Sequence, residues 1–374
     1  MSEFLDWLAA QAQSRDRAGL RRATTPFKAD EVLDLAGNDY LGLRRHPAVV
    51  AGAVAAAETY GGGAGASRLV TGTLPIHEHL EQALCDLTAA PSALVFSTGY
   101  HANLGALTAL ADADTLIVSD AHAHASLIDG ARLSRGTVVV SRHNDLGHVR
   151  ELLAHRTQRR AVVVVESIYS VFGDAAPLAE LSSLALEFDA VLLVDDAHGL
   201  GVLGARGEGG PAHAGITTCD HVVVTATLSK SLAAQGGVVL GHRSVRQHLV
   251  NTSRPFIYDT GLAPAAAGAA LGALEVLGAD PRLPERARAN AAALAAACGV
   301  AAPAGAVLSV AMPGPAHALA AVAEAEARGI RIGCFRPPST PDGTSRLRLT
   351  AHANHTRHDL DRAAAVLESL VPRA

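Results

Sequence analysis

The residues with most chemistry in them sit at the ends of apolar runs. In VLLVDDAHGLG, Val191 to Gly201, such a run delivers Asp195 and Asp196, followed by His198 and Gly199. In open α/β sheets the carboxyl end of a strand is where ligands bind. One carboxylate there can face a bound group while its neighbour points away. An ordinary charged strand end would give the same letters. In HVVVTATLSKSLAAQGG, His221 to Gly237, a second run leads to Thr227, Ser229 and Lys230. A partly desolvated lysine loses preference for its charged form. Its free amine can then form a Schiff base, and the two hydroxyls can serve a nearby phosphate. A surface lysine opening a helix is the plainer alternative. A serine acylase needs Ser-x-x-Lys, but position 227 is threonine and no S-D-N or K-T-G partner occurs.

Four further segments carry weaker signals. FSTGYHANLGAL, Phe96 to Leu107, reads as a strand, a tight turn at Gly99 and a helix from about Tyr100. The free N–H groups of a helix start suit a phosphate. His122 and His124 resemble a metal pair, yet no third ligand has zinc-like spacing and an extended H-x-H points its rings to opposite faces. No metal is expected there or at His77 and His79. The glycines of Tyr60–Thr73 lack the G-K-[ST] of a nucleotide loop and read as a tightly turned or mobile loop near a site. In GCFRPPSTPDGTSRLRLT, Gly333 to Thr350, Arg346 and Arg348 lie two apart on one strand face. One of them can clamp a carboxylate in a bidentate way; a solvated strand face is the alternative.

These residues need a scaffold. Apolar runs at Ala93–Phe96, Thr115–Val118, Thr137–Val140, Ala161–Val165, Val191–Val194, His221–Thr225 and Gly237–Leu240 alternate with helical patterns. Most lack polar alternation, as strands buried on both faces of a mostly parallel, helix-covered sheet do. After about Thr260 the texture becomes Ala-rich. Strand-like stretches at Ala306–Ala311, Ile330–Gly333 and Ser345–Thr350 and a last helix from about His358 to Leu370 indicate a smaller α+β lobe. Residues 2–22 form a helical arm with Phe4, Trp7 and Leu8 on one side.

The 374 residues are 49% hydrophobic and 18% charged, with 31 basic and 36 acidic side chains for a net charge of -5. That is a globular chain with two lobes, and it gives no reason to expect nucleic acid or an anionic membrane as partner. The four cysteines are scattered and fit a reduced cytoplasmic protein. The N-terminus is no secretory signal, and no stretch is built to span a bilayer.

The blocks occur in an order that resembles the α-oxoamine synthases of the fold-type-I pyridoxal-phosphate (PLP) enzymes. Within them it is most similar to the branch that joins L-alanine to a pimeloyl thioester in biotin synthesis. The resemblance runs from about Asn38 to Thr350. It rests on NDYLGL, GASRLVTGTLPIHEHLE, STGYHANLGAL, DAHAHASLIDGARLS, HND at His143–Asp145, SIYSVFGDAAPL, VDDAHGLGVLG, TLSKSLAAQGG, FIYDTGLAPA and RPPSTPDGTSRLRLT. It implies an α/β fold of the aspartate-aminotransferase type: an arm over 1–40, a large PLP-binding domain over 41–265 and a small domain over 266–374. By resemblance, Lys230 is the Schiff-base lysine and Asp195 the partner of the pyridine nitrogen. His198 lies near the ring's phenolic oxygen and His124 stacks on the ring. Gly99 and Tyr100 form the phosphate-side turn, and Ser170 and Thr227 add cofactor contacts. Arg348 anchors the substrate carboxylate, while Arg21 and Ser339 match substrate positions.

The resemblance also implies a cytoplasmic homodimer with shared active sites, in which Thr260 reaches the partner's phosphate. The acyl group arrives on coenzyme A or acyl carrier protein. Lys230, once displaced, is the natural base for the Cα proton. Three departures stand out: Ser229 where relatives have glycine, Asp259 for serine, and Ser339-Thr340 for Thr-Val. Enzymes resembling glycine C-acetyltransferase or 5-aminolevulinate synthase share the same lysine and aspartate. A PLP-binding protein without catalysis would not need lysine, aspartate, histidines and arginine together.

Overall fold

The structure is a computed structural model and describes residues 2–22, 24, 26, 32–337 and 339–372. Pro338 of the RPPSTP block lies outside the described residues. The elements run α1 (Glu3–Arg17), β1 (Leu33–Leu35), α2 (Pro47–Tyr60), α3 (Pro75–Thr88), β2 (Ala93–Phe96), α4 (Gly99–Leu110), β3 (Thr115–Asp120), α5 (Ala125–Leu133), β4 (Thr137–Ser141), α6 (Leu146–Ala154), β5 (Arg160–Glu166), α7 (Leu178–Glu187) and β6 (Val191–Asp195). They continue with α8 (Gly210–His213), β7 (Val222–Thr227), β8 (Gly237–Gly241), α9 (Arg243–Thr252), α10 (Arg254–Ile257), α11 (Pro264–Ala279), α12 (Leu283–Ala297), β9 (Val307–Ala311), α13 (Pro315–Ala327), β10 (Ile330–Phe335), β11 (Arg346–Thr350) and α14 (Arg357–Leu370).

The large sheet has the order β2-β8-β7-β6-β5-β3-β4. Strands β4, β3, β5, β6 and β7 are parallel, and β8 pairs antiparallel with both β7 and β2. The uniform apolar runs have a direct reason. Val163, Val165, Leu192, Val194, Val222 and Val224 pack into one core, while the intervening Val162, Val164, Leu193 and Val223 pack into a second on the opposite face. Successive side chains on a strand point to opposite faces, so a sheet covered on both sides leaves no polar position. At the edge, β4 breaks this rule: Val138 and Val140 are exposed.

The smaller sheet has the order β1-β10-β11-β9 over its own core of Leu35, Leu308, Val310, Ile330, Ile332, Leu347 and Leu349. Strand β1 pairs parallel with β10, Leu33 opposite Ile330. The N-terminal arm thus lends a strand to the C-terminal sheet and carries the Asn38–Gly42 turn between the two sheets. Helix α1 buries none of its residues. None of the described helices is long and apolar enough to cross a membrane.

Candidate active site

The site is built at the carboxyl ends of the parallel strands β5, β6 and β7. Asp195 ends β6 and is buried. Its Oδ2 accepts from Asn103 Nδ2 at 2.7 Å and its Oδ1 from the Ala197 N–H at 2.9 Å. Asp196, one residue on, turns away and accepts from the Gly210 N–H at 3.1 Å; burial raises its pKa to about 7. The alternation of the strand thus gives one carboxylate to the cleft and one to the scaffold.

Lys230 lies in the turn after β7. Its Nζ is 2.8 Å from His198 Nε2. Desolvation in the cleft pushes its pKa down to about 8, against the attraction of Asp195. His198 is buried and held well below its usual range, by burial first and then by the cations Lys230 and Arg348. It is therefore neutral. With Lys230 donating to Nε2, His198 carries its proton on Nδ1 and donates to Tyr40 Oη at 2.6 Å. Tyr40 donates in turn to Asn38 Oδ1 at 3.0 Å. Burial lifts the Tyr40 phenol to about 12, so it stays protonated. Asn38 Oδ1 also accepts from Arg348 Nη1 and Nη2, at 3.2 and 3.1 Å. Arg348 Nε donates to the Ser170 carbonyl at 2.7 Å. The arginine is buried, and the Phe335 ring lies 5.3 Å from its guanidinium carbon.

A loop glycine makes this packing possible. A Cβ on Gly201, at φ 79°, would sit 2.3 Å from Ser231 Cβ. The loop after Asp195 can press on the Lys230 turn only because that position carries no side chain.

The opposite end of the site is the start of α4. Thr98 caps the helix, accepting from the His101 N–H. A Cβ on Gly99 would lie 2.8 Å from Thr227 Cβ, so helix start and strand β7 touch there. Thr227 Oγ1 lies 2.7 Å from Ser229 Oγ. Ser229 therefore turns toward the cleft, with its hydroxyl beside the helix start. Thr98, Gly99, Tyr100, Asn103, Thr227 and Ser229 share a cavity of about 280 Å³ with Asp195 and Lys230. Asp259 accepts from Ser97 Oγ and lies 3.5 Å from His101 Nδ1.

His124 stands between this cavity and a second one of about 640 Å³ that also contains Lys230, His198, Ser170, Phe335, Ser339, Arg22 and Arg348. It caps α5, and its Nδ1 is 2.7 Å from Ser126 Oγ. Burial lowers its pKa. Ser126 accepts from Asn103 Nδ2 at 2.8 Å, and Asn103 Oδ1 accepts from Thr225 Oγ1 at 2.5 Å. One amide so ties Asp195, His124 and β7 together.

Of the sequence candidates, Lys230, Asp195, His198, His124, Gly99, Tyr100, Thr227, Ser170, Ser339 and Arg348 line the joined cleft. Arg21 does not. It lines a neighbouring depression beside Ser339 and pairs with Asp16 at 3.7 Å, while Arg22 reaches the cleft and donates to Ser339 Oγ at 3.1 Å. Thr260 is exposed, bridged to Ser67. Sequence reasoning assigned no role to Asn38, Tyr40, Asn103 or Glu166. Glu166 was findable: it ends β5 as Asp195 ends β6, and the two are register partners. Burial and repulsion by Asp195 hold its pKa well above the carboxylate range, and its Oε1 is buried without a partner. Asn103 was findable as the residue one helical turn after Gly99.

A lysine whose pKa burial has lowered, a buried carboxylate with fixed donors, and a helix start opposite them fit PLP: an aldehyde, a ring nitrogen and a phosphate. The fold and this cleft define a PLP-dependent transferase of fold type I. The chain belongs to the aminotransferase class I and II family, whose model matches residues 30–367. It is 52% identical to an 8-amino-7-oxononanoate synthase of Mycolicibacterium smegmatis, over 99% of this chain and 97% of that protein. A serine palmitoyltransferase from S. paucimobilis, solved with PLP bound as a myriocin aldimine, superposes with a TM-score of 0.90 at 29% identity, covering 98% of this chain and 96% of that one. An 8-amino-7-oxononanoate synthase from Francisella tularensis shares the fold, with a TM-score of 0.77 at 24% identity, covering 91% and 98%.

Proposed function

We propose that this chain is an 8-amino-7-oxononanoate synthase. It condenses L-alanine with a pimeloyl thioester, on coenzyme A or an acyl carrier protein, and releases carbon dioxide and the thiol carrier. One observation carries the assignment. A single cleft gathers Lys230, Asp195, His124 and Arg348, in a chain half identical to relatives of that name along almost its whole length.

PLP, when bound, supplies the electron sink for a carbon that has lost its proton. Lys230 Nζ attaches the cofactor and, once displaced by the substrate amine, takes the Cα proton. A lysine that titrates near 8 can do this at neutral pH. Asp195 keeps the ring nitrogen protonated, with Asn103 and the Ala197 N–H holding its carboxylate in place. Gly99 and Tyr100 at the start of α4, with Thr227, take the phosphate. His198 holds the ring oxygen and His124 the ring face. Ser170 lies beside the cofactor. Arg348 receives the alanine carboxylate as a planar fork. Ser339 belongs to the acyl end, with Arg21 in the depression that adjoins it. The chain acts as a homodimer, as fold-type-I PLP enzymes do, and in the dimer Thr260 serves the phosphate of the partner's site. The four unpaired cysteines suit a cytoplasmic setting.

The test is mass analysis of the product formed by the purified holoprotein from L-alanine and pimeloyl-coenzyme A or pimeloyl-carrier protein. The nine-carbon amino-keto acid is expected, with one carbon dioxide per turnover. No product from alanine with either carrier overturns the assignment. The likeness to serine palmitoyltransferase structures makes serine with a long-chain acyl thioester the second pair to try. Preference for that pair, or for glycine, moves the chain to a neighbouring branch.

A further inference from the structure

Beside the cleft four rings and cations stack into one column. His143 is at its base. Its Nδ1 is 2.8 Å from Asp120 Oδ1 at the end of β3, and its Nε2 is 2.7 Å from Asp174 Oδ2 in the loop after β5. The two carboxylates lift its pKa to about 9 in spite of burial, so it is an imidazolium. The Tyr169 ring meets it edge-on at 4.4 Å. His122 stacks on it with centroids 3.7 Å apart and planes 19° from parallel. Phe172 follows on His122 at 4.9 Å. The guanidinium of Arg346 then covers Phe172, its carbon 4.4 Å from the ring centroid. Asp342 closes the top, paired with Arg346 at 2.6 Å.

The column joins parts that must agree. Its base and middle belong to the large sheet: His122 sits two residues before His124, and Phe172 two after Ser170, whose carbonyl holds Arg348. Its top, Arg346, lies on β11 of the small sheet, two residues before Arg348 and on the same strand. His122 and Val171 line the same cleft as Arg348 and Lys230. Cations over ring faces attract through the ring quadrupole, more strongly when shielded from water. Arg346 and Arg348 lie two apart on the same face of one short strand, so the position of the first bears on that of the second.

We propose that Phe172 and Arg346 are positioning residues: their contact holds β11 against the large sheet so that Arg348 faces the substrate carboxylate opposite His124. This rests on Arg348 being the amino-acid anchor. It assigns the column a part in amino-acid binding and none in proton transfer.

Two variants of the holoprotein test it, Phe172→Ala and Arg346→Met. The second keeps the aliphatic stem and removes the cation. Alanine Kd is read from the cofactor's absorbance change, with KM, kcat and melting temperature alongside. Both variants should raise the Kd and KM for alanine about three- to tenfold, the range one such contact supports. Their kcat should stay within about twofold, and Phe172→Tyr should restore the wild-type Kd. An unchanged Kd in either folded variant overturns the proposal, as does failure of tyrosine to rescue. Should Phe172→Ala not fold, Arg346→Met decides alone. If the wild type binds glycine or serine rather than alanine, the same ratio is measured with that amino acid. The substrate assignment then fails while the column is still judged. A wild type that binds none of the three overturns both.

Discussion

Lys230 and Arg348 are the two ends of one hydrogen-bond chain, which passes through His198, Tyr40 and Asn38 with no link longer than 3.2 Å. The proposed base follows β7 of the large sheet, and the proposed substrate anchor lies on β11 of the small one. A turn of the N-terminal segment joins them. The chain fixes the tautomer of His198 and the direction of the Arg348 fork at once.

Tyr40→Phe cuts this chain at its middle. His198 Nδ1 then loses a buried partner, which costs about 1–3 kcal/mol. Melting temperature should fall, and both turnover and alanine affinity should drop about tenfold. A variant with full activity and unaltered alanine binding would show that the chain transmits nothing.

Lys230 sets a pH dependence. Its folded pKa is pushed below the ordinary lysine value, to about 8, and only the neutral amine attacks an aldehyde. Below about 8 the rate of PLP uptake by apoprotein should rise about tenfold per pH unit, and above it the rate should level off. Rapid-mixing absorbance at a series of pH values measures it. A rate that kept rising to pH 10 would place the lysine at its ordinary pKa. Lys230→Ala should abolish covalent attachment, seen by mass after borohydride treatment. It should also lower turnover by about 10³-fold or more.

Asn103 satisfies three buried partners, Asp195, Ser126 and Thr225. Asn103→Leu keeps the volume and removes every one of them. We expect a loss of about 1–3 kcal/mol in stability and at least tenfold in turnover, with PLP still bound. Urea unfolding and steady-state rates check both. Wild-type values for the two would show that Asp195 needs no amide beside it.

Arg348→Lys keeps the charge but not the fork. Lysine cannot make parallel bonds to a carboxylate, so KM for alanine should rise about tenfold or more while thioester KM stays near wild type. A rise in thioester KM alone would assign Arg348 to the acyl donor.

His143 contributes stability that depends on pH. Its folded pKa, about 9, stands above the unfolded value of a histidine. The contribution is therefore complete below about pH 6.5 and lost as pH rises through about 9. In His143→Asn that part of the pH dependence should vanish, with the variant and wild type closest at high pH. Urea unfolding at low and high pH measures it. A constant stability gap across the range would mean the imidazolium is not the stabilising form.

Much of the scaffold was legible in the chain. All seven apolar runs are strands, and apart from the edge strand β4 the reason is that a run without polar alternation has one comfortable place, a sheet covered on both faces. Lys230, Asp195 and His198 were legible for a related reason: polar groups ending such runs stand where buried strands emerge. Strand periodicity left Arg348 as one of two arginines on a face, and only the family resemblance singled it out. What marks it out in the fold is the Ser170 carbonyl and Asn38, both distant in sequence.

The sequence by itself determined the elements, the two-lobed division of texture and the residues that end the central strands, since these follow from local periodicity and burial. Only the tertiary structure decided that β1 joins the distant C-terminal sheet and that Tyr40 and Asn38 link Lys230 to Arg348. It alone placed Asn103 against Asp195, set Glu166 beside Asp195 with its pKa raised by burial, and brought Arg22 rather than Arg21 into the cleft. Those relations come from contacts between segments far apart in the chain. A hydrogen bond or a shifted pKa depends on which groups meet and how much water they lose, and no local pattern of letters encodes either.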